Sequence, residues 1–205
     1  EVKFYFSSNY EAAQYCDWLI ELHGKIKKKE LVFEPCIFPW HKAVLTKSDL
    51  LEKANRVLCM GQGGSMLIAQ EAAHLFSALG SRFIPVSDSH LQAIAATMMD
   101  PEDVIVFFSY SGSTRAMMET LKLAKERGGR VILVTRFPKS PGAELSDIVL
   151  QCGANENPLQ SGSIAARIAQ MYLVDVLFSE YSRRDLRRTR ENRARIAEAL
   201  AKKHL

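Results

Sequence analysis

Five short apolar runs, rich in β-branched residues, recur along the chain after residue 50. They are Arg56–Met60, Arg82–Val86, Val104–Ser109, Arg130–Thr135 and Asp147–Gln151. The run Val-Ile-Val-Phe-Phe at 104–108 is apolar at every position, which is typical of a strand covered on both faces of a parallel sheet. The pattern therefore predicts buried, parallel strands.

Stretches with apolar residues at helical spacing separate these runs. They predict helices at Ser65–Leu79, His90–Met98, Ser113–Arg127 and Pro141–Leu145. Each connection is long enough for a right-handed β-α-β crossover, and we expect Gly80 and the pair Gly128-Gly129 to end the helices that precede them. The sequence predicts an α/β fold with a doubly wound, five-stranded parallel sheet flanked by helices, of the Rossmann or flavodoxin type.

Helical extensions are predicted at both ends of this unit. Residues 159–181 indicate a long helix, and residues 184–203 indicate a second, highly charged one. The first 50 residues are less regular, with a helical pattern at Tyr10–Ile26 and later interruptions by Pro35 and Pro39. We expect three parts: an N-terminal extension or linker (1–50), a central domain (51–182) and a basic C-terminal helix (183–205).

Composition narrows the classes of protein. With 47% hydrophobic and 24% charged residues in 205, the chain is an ordinary globular sequence. No apolar run approaches the roughly 20 residues that cross a bilayer, so no membrane association is expected. The four cysteines are scattered without a C-x-x-C pair, so neither a disulfide framework nor a metal site is predicted and the cytosol is the expected compartment. Because the first residue is Glu1 rather than Met, the sequence leaves open whether another domain precedes it.

Charge is concentrated at the C-terminus. The net charge is +4, of which residues 183–205 carry +6 and the remainder −2. Such a tail suits contact with nucleic acid or an acidic partner, although a solvated helix face explains the same charges.

Two strand-end loops carry the clearest chemistry. The first strand is followed by Gly-Gln-Gly-Gly-Ser at 61–65, and the third by Ser-Tyr-Ser-Gly-Ser-Thr at 109–114. Ligands of open parallel sheets bind at the carboxyl ends of the strands, where helix N-termini attract anions. Glycines allow close backbone approach, and hydroxyls donate to phosphate oxygens. Helix capping by Ser65 is the alternative for the first loop, whereas the hydroxyl density of the second favours phosphate. The chain lacks the G-x-x-x-x-G-K-[ST] motif, which disfavours nucleoside triphosphate hydrolysis.

The motifs G-x-G-G-S and S-x-S-G-x-T resemble the two loops of the phosphosugar-binding SIS (sugar isomerase) domain. The likeness extends over about residues 50–182. It implies that the loop after the third strand holds the phosphate of a sugar phosphate and that the first loop lies beside the sugar. The residues implicated in this way are Gly63, Gly64, Ser65, Ser109, Tyr110, Ser111, Gly112, Ser113 and Thr114.

Other segments narrow the resemblance. Ser-Asp-Ser-His-Leu-Gln at 87–92, Ser-Gly-Ser-Ile-Ala-Ala-Arg-Ile-Ala-Gln at 161–170 and the basic last helix are similar to segments of RpiR-type bacterial transcriptional regulators. This implies a sugar-phosphate sensor that controls an N-terminal helix-turn-helix DNA-binding head. Residues 1–50 are too short and too interrupted by proline for that head, so operator DNA would be bound only through a domain outside this chain. We expect a homodimer or homotetramer without a cofactor.

Four further residues are candidate ligand contacts. Asp88 and His90 follow the second strand beside the expected cleft, and Ser163 and Arg167 lie near the start of the long helix. An arginine suits a sugar hydroxyl or a phosphate oxygen. For His90, capping the next helix together with Ser89 is an equal alternative. Asp88 also fits a dinucleotide-binding layout, but the first loop lacks the third glycine of G-x-G-x-x-G.

The main alternative is an aldose–ketose isomerase of the SIS family, which usually employs a glutamate base and a histidine. Three of the candidates, Glu71, Glu119 and His74, lie inside predicted helices, where a solvated or packing role is expected. Glu156, in a loop that can reach over the site, and His90 are better placed. No Glu–His pair has the support of a motif, so we assign no catalytic residue and favour a sensor.

Overall fold

Five parallel strands form one sheet in the computed structural model, which describes residues 50–152 and 164–203. The strand order is β2-β1-β3-β4-β5, and every neighbouring pair is parallel. The strands are β1 (Val57–Gly61), β2 (Phe83–Val86), β3 (Val104–Phe108), β4 (Arg130–Thr135) and β5 (Ile148–Gln151). The predicted five-stranded parallel sheet is confirmed. The expectations for residues 1–49, Glu156 and Ser163 lie outside the described residues.

Helices follow the strands in regular alternation. They are α1 (Gly64–Ser77), α2 (Ser89–Thr97), α3 (Arg115–Glu126), α4 (Pro141–Glu144), α5 (Ile164–Arg184) and α6 (Leu186–Ala201). Residues 50–53 are also helical. The long helix predicted at 159–181 extends to Arg184, and the first five residues of that prediction lie outside the described part.

Two apolar clusters cover the two faces of the sheet. On one face, α1 packs with α5 through side chains such as Phe76, Leu177 and Phe178. On the other, α2 and α3 contribute Ala96 and Leu121. Apolar side chains on alternate strand positions serve opposite clusters, which is why these strands are apolar throughout.

The glycine expected to stop the first helix does not do so. Among the described residues the glycines with positive φ are Gly63, Gly112 and Gly128. Gly128 ends α3 in the left-handed conformation, as predicted. Gly80 is not among them, and α1 ends through a right-handed residue, Ala78, so that part of the prediction is wrong.

The direction of the strand connections reverses between β1 and β3. The chain moves from β1 to β2 on one side and returns to β3 on the other, with α1 and α3 on opposite faces. Such a reversal leaves a crevice at the carboxyl ends of the two central strands, where ligands of this architecture bind. No helix within 50–152 or 164–203 is long and apolar enough to cross a membrane.

Candidate functional site

The loop after β1 is folded tightly around glycines. A Cβ at Gly61 would lie 2.6 Å from the carbonyl oxygen of Ser65, which leaves no room for a side chain. Gly63 has φ 55° and is the N-cap of α1, and no atom lies within 4 Å of the position of its Cβ. The backbone at Gly63 is therefore exposed to an approaching ligand.

Hydroxyl groups shape the loop after β3. The buried Ser109 accepts a hydrogen bond at Oγ from the Gly112 N–H (3.2 Å), and Ser111 Oγ accepts one from the Ser113 N–H (3.3 Å). The side chains of Ser111, Ser113 and Thr114 are exposed. The loop thus presents three hydroxyls to solvent on a backbone that its own serines hold in place.

The two helices that follow β1 and β3 lack side-chain caps. Neither Gly63 at the start of α1 nor Thr114 at the start of α3 makes a side-chain capping bond, and neither first turn contains an acidic residue. In contrast, Asp88 caps α2 and Asp185 caps α6. The partial positive charges of the α1 and α3 N-termini are therefore not offset locally and favour an anion.

A cation from α5 lies beside the first loop. A Cβ on Gly64 would be 3.8 Å from both Cδ and Nη1 of Arg167. Arg167 is half-buried, and its guanidinium is the group that planar oxyanions bind best. The structure thus brings the glycine loop close to Arg167, which was predicted to lie near the start of the long helix.

Asp88 has a structural task of its own. Its Oδ1 accepts hydrogen bonds from the backbone N–H groups of His90 (2.9 Å) and Leu91 (3.0 Å), which caps α2. The alternative in which His90 and Ser89 provide this cap is wrong, because Ser89 is already the first residue of the helix. The side chains of Asp88 and His90 are both exposed at the rim of the edge.

Ser65 is also not a cap. The N-cap position of α1 belongs to Gly63, and Ser65 lies inside the first turn, where its N–H donates to the Gln62 carbonyl (3.1 Å). The capping alternative for the first loop is therefore wrong. The half-buried Ser65 hydroxyl remains beside the open backbone of Gly63.

Gln92 is a supporting residue that the sequence analysis did not single out. Its fully buried side chain donates from Nε2 to the carbonyls of Gly61 (2.9 Å) and Val86 (2.8 Å). It joins α2 to the ends of β1 and β2, directly beneath the glycine loop. The signal in the sequence was a polar glutamine on the face of α2 that packs against the sheet, where an apolar residue is the usual choice.

The loop after β4 was missed as well. The Tyr110 carbonyl accepts hydrogen bonds from the Arg136 N–H and Thr135 Oγ1, both at 3.1 Å. The ring of Tyr110 packs edge-on against Phe137, with centroids 5.7 Å apart. The hydroxyl loop is thus braced on its far side by β4, a contact between segments about 25 residues apart.

The side chains considered for isomerisation have other surroundings. Glu119 is exposed and paired with Arg115 at 3.0 Å, and His74 lies on the exposed side of α1. Both occupy the solvated positions expected for them. Within the described ranges, no group of three or more His, Cys, Asp or Glu is arranged to hold a metal ion.

A cavity of about 290 Å³ lies at the opposite, amino end of the strands. Arg82, which lines it, donates to the carbonyls of Glu52 (2.8 Å) and Ala54 (2.9 Å) and to the Tyr181 hydroxyl (2.6 Å). Its guanidinium is thereby engaged in joining β2 to the start of the domain and to α5. We interpret this cavity as the junction of α5 and α6 rather than the ligand site.

Comparisons with known proteins agree with this geometry. A family model described as the SIS domain matches residues 50–180. An uncharacterized HTH-type transcriptional regulator of Clostridium perfringens is 36% identical over 132 residues, which is 64% of this chain and 47% of the relative. The HTH-type transcriptional regulator RpiR of Escherichia coli is 33% identical over 118 residues, 58% of this chain and 40% of the relative. The chain spans about half the length of the curated relatives it matches.

A solved structure extends the similarity to the fold. The Vibrio vulnificus NanR protein complexed with ManNAc-6P matches with a TM-score of 0.76 and 26% identity, over 80% of this chain and 62% of that chain. The arrangement of strands and helices described above is thus one that a sugar-phosphate-binding protein also has.

Proposed function

The chain belongs to the SIS domain family, and from this premise we propose that it is the effector domain of an RpiR-type regulator of carbohydrate metabolism. In this role it binds a sugar phosphate and controls a DNA-binding head that is not contained in residues 1–205. The similarity to HTH-type regulators over the central domain supports this role. Such a regulator acts where the DNA is, which in a bacterium is the cytoplasm.

One observation carries the proposal: the helices that follow the adjacent strands β1 and β3, α1 and α3, both begin without a side-chain cap, on either side of the point where the strand order reverses. An anion placed there gains from both helices and from exposed hydroxyls without displacing an existing cap. The ligand class is a hexose phosphate or a related amino-sugar or polyol phosphate. The NanR complex with ManNAc-6P supports this class.

Each group at the edge has a role in this proposal. The hydroxyls of Ser111, Ser113 and Thr114 and the nearby N–H groups bind the phosphate. Ser109, Tyr110 and Gly112 hold that loop in shape. Gly63, Gly64 and Ser65 lie beside the sugar, with Arg167 binding a sugar hydroxyl or a phosphate oxygen. Asp88 and His90 form the rim, and Ser163 is assigned to the site from its sequence position alone.

The signal would leave the site through α5. Arg167 stands beside Gly64 at one end of this helix, and the other end leads through Asp185 into α6. A ligand that orders the edge favours one position of α5 and α6 over another, and a homodimer contact formed by these helices transmits that shift to the head. No step in this mechanism requires a chemical reaction, so we propose a sensor rather than an enzyme.

Ser111→Ala tests the site. Loss of a hydrogen bond to a charged phosphate costs about 1.5–3 kcal/mol, so the affinity for the best-binding sugar phosphate is expected to fall about tenfold or more. Titration calorimetry over a panel of aldose, ketose, amino-sugar and polyol phosphates first identifies the ligand. Ser77→Ala is the matched control, because this exposed serine lies at the far end of α1, where its hydroxyl donates to the His74 carbonyl. Equal affinity of Ser111→Ala and the wild-type chain would contradict the assignment.

The same samples separate a sensor from an isomerase. Proton NMR of the chain with a mixture of aldose and ketose phosphates records saturation transfer for binding and new sugar resonances for turnover. Saturation without conversion is expected. Protein-dependent interconversion would establish the isomerase instead and direct attention to His90 and Glu156.

A further inference from the structure

Two carbonyl groups need a hydrogen-bond donor where the pairing of β1 with β2 ends. Met60 and Val86 are the last residues of these strands that pair in register, and beyond them the chain enters the glycine loop (61–65) and α2. Gln92 Nε2 donates to the carbonyls of Val86 (2.8 Å) and Gly61 (2.9 Å). Because a buried carbonyl without a donor is costly, the two N–H groups of this one side chain take over where the strand ladder stops.

Gln92 is itself held in place. Its side chain is fully buried, and its backbone N–H donates to the Asp88 carbonyl (2.8 Å) in the first turn of α2, the turn that the Asp88 carboxylate caps. An amide with its oxygen towards the two carbonyls would repel them, so these bonds also determine which way the amide faces. The side chain is therefore a rigid link between α2 and the residue at which the glycine loop begins.

The amide oxygen of Gln92 is a buried acceptor. Among residues 50–152 and 164–203, Oε1 has no hydrogen-bond donor, although buried polar atoms are normally paired with a protein group, a water molecule or a ligand. A sugar hydroxyl can bring a donor to such an acceptor, directly or through a water molecule. A phosphate dianion offers acceptors alone. The surroundings of the glycine loop therefore suit a sugar better than a phosphate.

The hydroxyl loop is held by a different set of bonds. The Gly112 carbonyl accepts from the Gly142 N–H (2.8 Å), and the Tyr110 carbonyl accepts from Thr135 Oγ1 (3.1 Å). These donors belong to α4 and to the end of β4, on the side of β3 that faces away from β1. A change at Gln92 is thus expected to move the glycine loop and to leave the hydroxyl loop in place.

We propose that Gln92 positions the glycine loop for the sugar and thereby determines selectivity for a sugar phosphate over inorganic phosphate. This inference rests on the proposed function, because it takes the hydroxyl loop as the phosphate site and the glycine loop as the sugar site. Gln92 acts through Gly61 and is a positioning residue. Without its bonds the Gly61 carbonyl can turn, and the backbone of Gly63, which has the conformational range of a glycine, turns with it.

Gln92→Met is the test, because methionine has nearly the volume of glutamine and cannot donate to either carbonyl. Two probes are compared: inorganic phosphate and the sugar phosphate that binds the wild type most tightly in the panel of sugar phosphates. The sugar phosphate is expected to bind about tenfold more weakly, the equivalent of one hydrogen bond, while the dissociation constant of inorganic phosphate changes less than about twofold. Calorimetry measures the first constant, and proton–nitrogen correlation NMR measures the second, weaker one.

Gln92→Asn is a milder second variant. Its amide is one methylene shorter and cannot reach both carbonyls at once, so its selectivity is expected to lie between those of the wild type and Gln92→Met. Circular dichroism shows whether each variant is folded. If the methionine variant does not fold, the asparagine variant carries the test.

Asp103→Asn is the matched control for lost stability. The buried Asp103 accepts from Arg56 Nε (3.1 Å) at the opposite end of β1 and β3. Its replacement weakens the same strands without contact to either loop, so both dissociation constants are expected to stay within about twofold of the wild-type values, as for distant, independent sites.

The NMR spectrum of the ligand-free chain gives a second readout. In Gln92→Met the amide signals of Gly63 and Gly64 are expected to shift, while that of Gly112 stays in place. A wild type that binds no sugar phosphate would contradict the proposed function and this inference together. If the wild type binds one, and the glutamine variants keep the wild-type ratio of the two constants or lose both affinities equally, only the positioning role of Gln92 is overturned.

Discussion

Gly112 shows how little space the hydroxyl loop leaves for side chains. It has φ 61°, and a Cβ there would lie 2.1 Å from the Oγ of the buried Ser140 and 2.9 Å from Thr135 Oγ1. Its carbonyl accepts a hydrogen bond from the Gly142 N–H (2.8 Å), which ties the loop to α4. Conformation and contact therefore both require glycine at this position.

Gly112→Ala is expected to destabilise the fold by about 2 kcal/mol or more, since left-handed backbone strain adds to overpacking. Urea denaturation followed by circular dichroism measures the loss. Gly80→Ala is the control, because no atom lies within 4 Å of its Cβ position and its φ is not positive. A stability equal to that of Gly80→Ala would show that the loop moves freely away from Ser140.

The sequence was most informative about residues whose role is local. The hydroxyl loop was predicted to bind phosphate because four serine and threonine hydroxyls within six residues are rare in an ordinary turn. Arg167 was predicted to contact the ligand because it lies near the start of the long helix, and both assignments stay predictions. Gln92 and the capping role of Asp88 were not predicted. Gln92 acts on a carbonyl 31 residues away, and the choice between Asp88 and Ser89 as the cap depends on where the helix begins.

At the scale of elements, strands were easier to predict than the ends and faces of helices. Strands buried on both sides carry a continuous apolar signal, so β3 and β4 lie close to their predicted bounds. The prediction that Gly80 ends α1 was wrong, because a glycine after a helix need not adopt the left-handed conformation. The exposure of Leu91, Ile94 and Met98 on α2 was not predicted from the hydrophobic periodicity. Both faces of α2 carry apolar or small residues, so their spacing does not show which face is covered.

An ion pair joins the residues that immediately precede β1 and β3. Arg56, ahead of β1, donates from Nε to Asp103 Oδ1 (3.1 Å) and forms a second contact through Nη2. Asp103 is 1% exposed and also accepts from the Asp100 N–H (2.9 Å). Burial raises the pKa of Asp103, but the bonds from Arg56 and the Asp100 N–H outweigh it, so the pKa is below its ordinary value.

Asp103→Asn is expected to reduce the free energy of unfolding by about 2 kcal/mol at pH 7, because hydrogen bonds to a buried carboxylate are weakened while the Arg56 side chain left behind is 41% exposed. Because the pKa of Asp103 is lowered in the folded state, its contribution is complete above the unfolded value of about 3.9 and is lost as the pH falls further. The difference between variant and wild type should therefore shrink below about pH 4. Urea denaturation at pH 7 and pH 3 measures both.

Glu102→Gln is the control for this change. Glu102 is exposed, and its carboxylate accepts a hydrogen bond from the Asn55 side chain (2.6 Å), so we expect a small, nearly pH-independent effect. A difference between Asp103→Asn and the wild type that persists unchanged at pH 3 would show that the lost stability is not due to the charge of Asp103.

For the molecule as a whole, α5 ends at Arg184 and α6 begins at Leu186, close to the boundary after residue 182 that the sequence predicts for the domain and its basic extension. Helix α6 has no buried residue and is attached by few contacts. Asn192 Nδ2 donates to the Leu79 carbonyl (3.0 Å), and the Arg193 guanidinium lies 5.5 Å from the centre of the Phe178 ring. In contrast, α5 supplies four side chains to the core under α1: Leu173, Val174, Leu177 and Phe178.

Two truncations distinguish these roles. Among the described residues, removal of 186–205 deletes two side-chain hydrogen bonds to the domain, from Asn192 to the Leu79 carbonyl and from Thr189 to the Ser182 carbonyl, and one cation–π contact. A loss of about 1.5–4 kcal/mol is therefore expected, with sugar-phosphate affinity retained. Removal of 164–205 also deletes four buried side chains worth about 1.5–3 kcal/mol each, which approaches the whole stability of an ordinary domain. That shorter chain should not fold cooperatively. Urea denaturation of both compares them directly, and unfolding of the chain that ends at Asp185 would show that α6 is part of the domain rather than an extension of it.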